Sequence, residues 1–297
     1  MDTNAANLLP DPPTFPNDLL ERCKRAGDYR PILFEWYKYV GELSNRAACL
    51  APGSPAFRPI PTVHYAVLVG LLNRCSRLML SNMRLSSTKR YGETTRLLDR
   101  SITESAIKVR WLCHKGSPDS FTRYLADGLK KDVELKRHIE GNIDDQDGDA
   151  LVIERRMLRS IQNCIALSGL SEQEIYDAKR LPDLSAMCRD LDLDALFYTA
   201  IQRMGSHSVH GTWSDLIFNY LRYEDSQGFR PRDHDVETQD VQFVIVPLLV
   251  LAAITDFLNY VAADPSRVKD FVSVVEGAEK RIVDLIDLSW TSDFGKA

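Results

Sequence analysis

The sequence is poor in the features that announce several whole classes of protein. Six cysteines stand in 297 residues, and no two are closer than 24 positions (Cys164 and Cys188). Without a C-x-x-C pair, a zinc ribbon and a thioredoxin-type redox motif are excluded, and the spacing reads as reduced cysteines in apolar helical stretches. Glycine (15) and proline (14) are too few for a collagen-like or low-complexity chain, and no repeat of fixed period shows. A fibre, a solenoid and a wholly disordered chain are therefore excluded. Long apolar runs are missing as well. The longest, Phe243 to Ile254, spans 12 residues, contains Pro247 and is followed by Asp256, where a bilayer span needs about 20. It reads as a central core helix. Met1 to Leu9 lacks the basic region and apolar run of a signal peptide. The expectation is a cytoplasmic protein without membrane attachment. Absent too are G-x-x-x-x-G-K-[ST], G-x-S-x-G and G-x-G-x-x-G, and with them the main support for phosphate-loop, hydrolase and dinucleotide readings.

What is present is helical patterning. Period-2 alternation bounded by turn signals is almost lacking, so the fold class is all-α, a multi-helix bundle of roughly eight to ten helices. Residues 1–16 form a proline-rich arm, and 17–297 read as a single all-helical domain. Within 17–50, Leu33, Phe34, Trp36, Tyr37, Val40 and Leu43 recur at intervals of three and four. Ala51 to Pro61, with four prolines and a glycine, must be a loop. Helices follow near 62–83 and 92–113, then an exposed, charge-rich helix over 117–138. Gly141 to Gly148 reads as a turn, 149–167 as a helix, and Ser171 with Glu174 as a helix-capping box. Further helix is expected over 190–210, a polar loop over 224–237, and long helices near 238–262 and 266–289. Trp36, Tyr37, Trp111 and Trp213 read as core anchors rather than as a base-stacking platform.

Net charge is −5, from 37 basic and 42 acidic side chains, which excludes a general polyanion-coating protein. Residues 74–116 are locally basic, however, with ten Lys and Arg against three acidic residues. Such a segment suits a nucleic acid or phosphate as well as the solvated faces of helices.

Two helices carry the candidate chemistry. On the first, Arg100 and Glu104 interrupt the face formed by Leu97, Ile107 and Trp111 at a spacing of four, where they can pair. On the second, Leu196, Thr199, Arg203, Ser206 and His210 share a face, with His207 beside them. Arg203 and His210 are two turns apart, about 10.5 Å of rise, so a phosphate-sized group between them could touch both. Gly211 reads as the helix stop. Histidine can move a proton near neutral pH, and arginine can stabilise the charge of a pentavalent phosphorus. The same residue types equally suit a buried polar network closing the bundle. His207, His210 and Glu104 lack the further ligands of a metal site, and an EF-hand starting at Ile143 has no oxygen at its first position. No cofactor or metal is expected.

The segments RSITE (Arg100 to Glu104) and YTAIQRMGSHSVHG (Tyr198 to Gly211) resemble the bacterial helical family catalogued as domain of unknown function 5677. Separately, Arg203 and His210 resemble the R-x(4–6)-H motif of the HEPN superfamily, helical and often dimeric proteins that include metal-independent ribonucleases of toxin–antitoxin and phage-defence systems. That resemblance implies Arg203 and His210 as a catalytic pair across a dimer interface; the second histidine that acid–base chemistry needs would come from His207 or from a symmetry-related subunit. Arg100, Glu104 and Ser206 would support them. It implies RNA, tRNA-like in kind, as substrate, a homodimer, an antitoxin or defence partner, and a 2′,3′-cyclic phosphate product. Met204 departs from the Asn, Asp or His that often follows the arginine in nuclease members. The alternative is a non-enzymatic helical scaffold in which Arg100, Glu104, Arg203 and His210 form a buried network.

Overall fold

A computed structural model describes residues 9–88, 90–146, 148–194, 199, 209–225, 227–232 and 236–294. The fold is all-α, as the patterning predicts. The helices are α1 (Asn17–Ala26), α2 (Arg30–Ala48), α3 (Thr62–Ser86), α4 (Gly92–Lys115), α5 (Pro118–Asp145), α6 (Val152–Ser168), α7 (Glu172–Asp177), α8 (Leu184–Asp190) and α9 (Trp213–Asp215). A π-turn, Leu216–Tyr220, continues α9 into an antiparallel hairpin of β1 (Leu221–Glu224) and β2 (Gly228–Pro231). Helices α10 (Gln242–Val261) and α11 (Lys269–Phe294) complete the order. Most of the helix expected over 190–210 lies outside the described residues.

The chain divides into two compact units. One comprises Met1–Pro59, Leu68–His114 and Leu184–Ala297; the other comprises Ile60–Val67 and Lys115–Asp183.

The larger unit is organised around α10, which packs on α2 and α11. By length and composition α10 is apolar enough to cross a membrane, and it extends well beyond the 12-residue apolar run. Twelve of its 20 residues are nonetheless buried, among them Phe243, Val246, Val250, Ile254 and Phe257. The expectation of a core helix therefore holds on packing grounds rather than on length. Facing it, α2 buries Leu33, Trp36, Tyr37, Val40 and Leu43, the stripe that the three-and-four spacing marks. Phe34 and Tyr37 meet Phe243 edge to face, at ring separations of 5.8 and 5.5 Å. At the start of α4 the backbone of Gly92 is pressed against the 236–237 segment, donating to the Val236 carbonyl at 2.6 Å. A side chain there would run into the Val236 and Glu237 carbonyl oxygens, so only glycine fits.

The smaller unit is built on α5, which packs against α6 and α7. Ser117 caps α5 by accepting from the Ser120 amide at 3.2 Å. The exposure expected of α5 is only half right. Ala126, Leu129 and Val133 form an apolar core with Ile175, with Ile165 and Leu170 against it. Asp127, Lys131, Glu134 and Arg137 are exposed on the other side, while Lys136, one turn beyond Val133, pairs with Glu172 of α7 at 2.8 Å. His64 stacks on Phe121, ring centroids 4.0 Å apart. The Ser171 capping box is present, with Ser171 Oγ accepting from the Glu174 amide and Glu174 accepting from the Ser171 amide.

Two loop expectations need correction. The turn at 141–148 begins later, because α5 continues through Gly141 to Asp145; Gly141 lies in open space and nothing forces the helix to stop there. The polar loop at 224–237 begins inside a hairpin. Its pairs are Leu221 with Pro231, Arg222 with Arg230, Tyr223 with Phe229 and Glu224 with Gly228. Four-residue strands are too short for a period-2 pattern to stand out.

Candidate functional site

On α4, Arg100 Nε donates to Glu104 Oε1 at 2.9 Å, a partly buried pair with side chains 22% and 35% exposed. The pairing is the one its spacing predicts. Of the second group, Arg203, Ser206 and His207 lie outside the described residues. His210 is described and exposed. Gly211 follows it with φ of 54°, the left-handed conformation of a helix-ending glycine.

Beyond Gly211, Thr212 Oγ1 accepts from the Asp215 amide and starts α9. Asn219 Nδ2 donates to Asp215 Oδ1 at 2.8 Å, and Arg96 of α4 donates to Asn219 Oδ1 at 3.2 Å. Those bonds tie the π-turn to α4. Arg232 closes the base of the hairpin, donating from Nε to the Leu221 carbonyl at 2.8 Å. This framework presents a cluster of exposed rings. Trp213 meets Phe229 edge-on at 5.4 Å, and Tyr223 meets Phe229 at 5.0 Å. Trp213 is 61% exposed, Tyr223 62% and Phe229 52%. Phe218 and Tyr220 are exposed as well. Trp36, Tyr37 and Trp111 are buried, as core anchors should be, but Trp213 is not one. It ends up outside because α9 is a single turn whose buried contact is made by Asp215. The strand alternation places Arg222 and Arg230 on the ribbon face opposite Tyr223 and Phe229. Glu224 pairs with Arg222 at 3.0 Å.

The buried polar network of the larger unit is drawn from other residues. Asp99 of α4 is 1% exposed. It accepts from Tyr37 Oη at 3.2 Å, from Asn82 Nδ2 at 2.5 Å and from Gln242 Nε2. Thr95 and Thr238 extend the network, Thr95 Oγ1 accepting from Gln242 at 3.2 Å. Burial pushes the Asp99 carboxyl up to about 7, although the bonds from Gln242, Tyr37 and Asn82 act to lower it. The charged residue that the sequence pattern marks on α4 is the neighbouring Arg100. The available signal was phase, since Asp99 falls with Thr95, Ile102 and Ala106 on the stripe that α4 buries.

All six cysteines are free thiols; Cys23, Cys75 and Cys188 are buried, and Cys49 and Cys164 are exposed. Among the described residues no three His, Cys, Asp or Glu side chains gather closely enough to hold a metal.

A family model described as a family of unknown function (DUF5677) matches residues 65–229, more than half of the chain. No curated protein and no solved structure matches it.

Proposed function

The chain belongs to the family of unknown function DUF5677, and we propose that it is an RNA-binding protein with HEPN-like, metal-independent RNA cleavage at Arg203 and His210. The observation that carries the reading is the exposed His210, followed after two residues by the exposed ring cluster of Trp213, Tyr223 and Phe229. Unpaired bases stack on such rings, each worth about 1–3 kcal/mol, and single-stranded RNA is recognised in this way. A satisfied structural histidine would gain nothing from lying in solvent.

In the proposed reaction a neutral histidine takes the proton of a ribose 2′-hydroxyl. The 2′ oxygen attacks the adjacent phosphorus while Arg203 holds the developing negative charge. The bond from phosphorus to the 5′ oxygen breaks, and that oxygen takes a proton from a second, protonated histidine. The products are a 2′,3′-cyclic phosphate and a 5′-hydroxyl. His210 is one histidine; His207 or a second copy of the chain supplies the other. This reading carries with it a cytoplasmic location, a homodimer, and an antitoxin or defence partner.

The test is incubation with tRNA and total RNA in EDTA. Wild type should release cyclic-phosphate ends, and Arg203→Ala and His210→Ala should not, with folded helicity retained. Phe229→Ala should weaken RNA binding while leaving helicity intact. RNA that neither binds nor is cut overturns the proposal.

A further inference from the structure

A second feature of the larger unit lies apart from these residues in sequence and uses different side chains. The last turn of α4, the end of α10 and the loop before α3 line an open cleft of about 460 Å³, within the range of small-molecule sites. Its polar lining comes from Arg58, Arg110, His114, Asp256, Asn259 and Tyr260.

The backbone fixes this set. Phe57 and Ala262 form an antiparallel bridge, the Arg58 amide donates to the Val261 carbonyl at 2.9 Å, and the Ala263 amide donates to the Ala56 carbonyl at 2.8 Å. The loop carrying Arg58 is thus stitched to the end of α10. Arg58 Nε then donates to the Tyr260 carbonyl at 2.5 Å, and its guanidinium lies over the Tyr260 ring, 4.2 Å from the centroid. Arg110 Nε donates to Asp256 Oδ2 at 2.7 Å, within a pair whose side chains are 19% and 35% exposed. His114 stands one turn beyond Arg110 on α4, exposed at the rim with Asn259.

Arg58 and Arg110 also complement the negative ends of α10 and α4. Each guanidinium has one nitrogen engaged. The Tyr260 and Val261 carbonyls are already taken by Arg58 Nε and the Arg58 amide, and Asp256 by Arg110 Nε. The terminal nitrogens of both guanidinium groups make no hydrogen bond to the described residues. With His114 and the Asn259 amide they leave the cleft rich in donors and its one carboxylate engaged. Held planar forks of this kind match phosphate oxygens. Burial pushes the Cys113 thiol up, and Asp256 adds to the rise, so this lining cysteine stays protonated and the cleft is built for binding rather than thiolate attack.

We propose that this cleft binds the phosphate of a small phosphomonoester of mononucleotide size, with Arg58 and Arg110 as its anion ligands and His114 and Asn259 at its rim. These ligands are different side chains from those of the proposed cleavage reaction.

The test is calorimetric titration of the full chain with AMP, inorganic phosphate, adenosine and a short single-stranded RNA. AMP and phosphate should bind and adenosine should not. Arg58→Met and Arg110→Gln should each weaken AMP binding about tenfold, as expected for a lost charge-assisted bond. His114→Gln and Asn259→Ala change exposed side chains, fold regardless of what Arg110 does for stability, and should each weaken it by about threefold. Failure of wild type to bind AMP or phosphate at about 10 mM overturns the proposal, as does unaltered affinity in the Arg58 and rim variants. RNA binding lost in Arg58→Met and Arg110→Gln, without any AMP binding, overturns it too, by assigning these arginines to RNA.

Discussion

Replacing Asp99 by asparagine should remove a specific pH dependence from the stability of the protein. The carboxyl is buried, and burial pushes it up to about 7, against about 3.9 in an unfolded chain. Between those values the folded chain keeps a proton that the unfolded chain has released. Stability from this source is complete below about pH 4 and is lost as pH rises from there through about 7. At 1.36 kcal/mol per tenfold change in proton activity, going from about pH 5.5 to about pH 8 should cost the wild type about 2 kcal/mol. The carboxamide of the variant has no such proton to lose. Other titrating groups change both proteins alike, so they cancel when the two are compared.

Urea unfolding followed by far-UV circular dichroism at the two pH values measures the difference. Wild type should lose about 2 kcal/mol more than Asp99→Asn on the alkaline side. Equal losses would refute the reasoning, for they would mean that Tyr37, Asn82 and Gln242 stabilise the carboxylate fully as an ion. Asp99→Ala is a different perturbation. It orphans three buried donors at about 1–3 kcal/mol each and should be the less stable variant at either pH.

Two further predictions concern local geometry. Gly92→Ala should lower stability by about 1–3 kcal/mol, because its Cβ meets the Val236 and Glu237 carbonyl oxygens. Gly128→Ala, in open space on α5, should raise it by about 0.4–1 kcal/mol. A pair of thermal melts with the same sign of shift would contradict that contrast. Ser171→Ala removes the side-chain acceptor of the Glu174 amide and should cost about 1 kcal/mol. An unchanged urea midpoint would show that the cap contributes nothing to holding α7 in the smaller unit.

What was legible in the sequence follows from which physical signals are local. The α2 stripe, the Ser171 box and the Arg100–Glu104 pair rest on spacings of three or four along one element, the α10 core helix on a continuous apolar run, and the structure contains each of them. Asp99 was harder to see because its burial is decided by three partners 17, 62 and 143 residues away. Its position in the buried phase of α4 was visible, but a lone aspartate there conflicts with the usual cost of burying a charge. Only Tyr37, Asn82 and Gln242 together resolve that conflict. Arg58 and Arg110 are likewise invisible as a pair, since it takes the Phe57–Ala262 bridge to bring the loop of one to the end of α10, whose Asp256 pairs with the other. Trp213 failed for the opposite reason. A tryptophan is read inward by default because burying its large surface is favourable. That default presumes an element long enough to turn the ring toward a core, and α9 is three residues long. The hairpin then gives Trp213 its neighbours from Tyr223 and Phe229 while leaving all three rings in solvent. Exposed aromatic surface is costly to keep on a protein that does not use it. The same physics that defeated the inward reading of Trp213 therefore makes the ring cluster a stronger pointer to binding than any motif in the sequence.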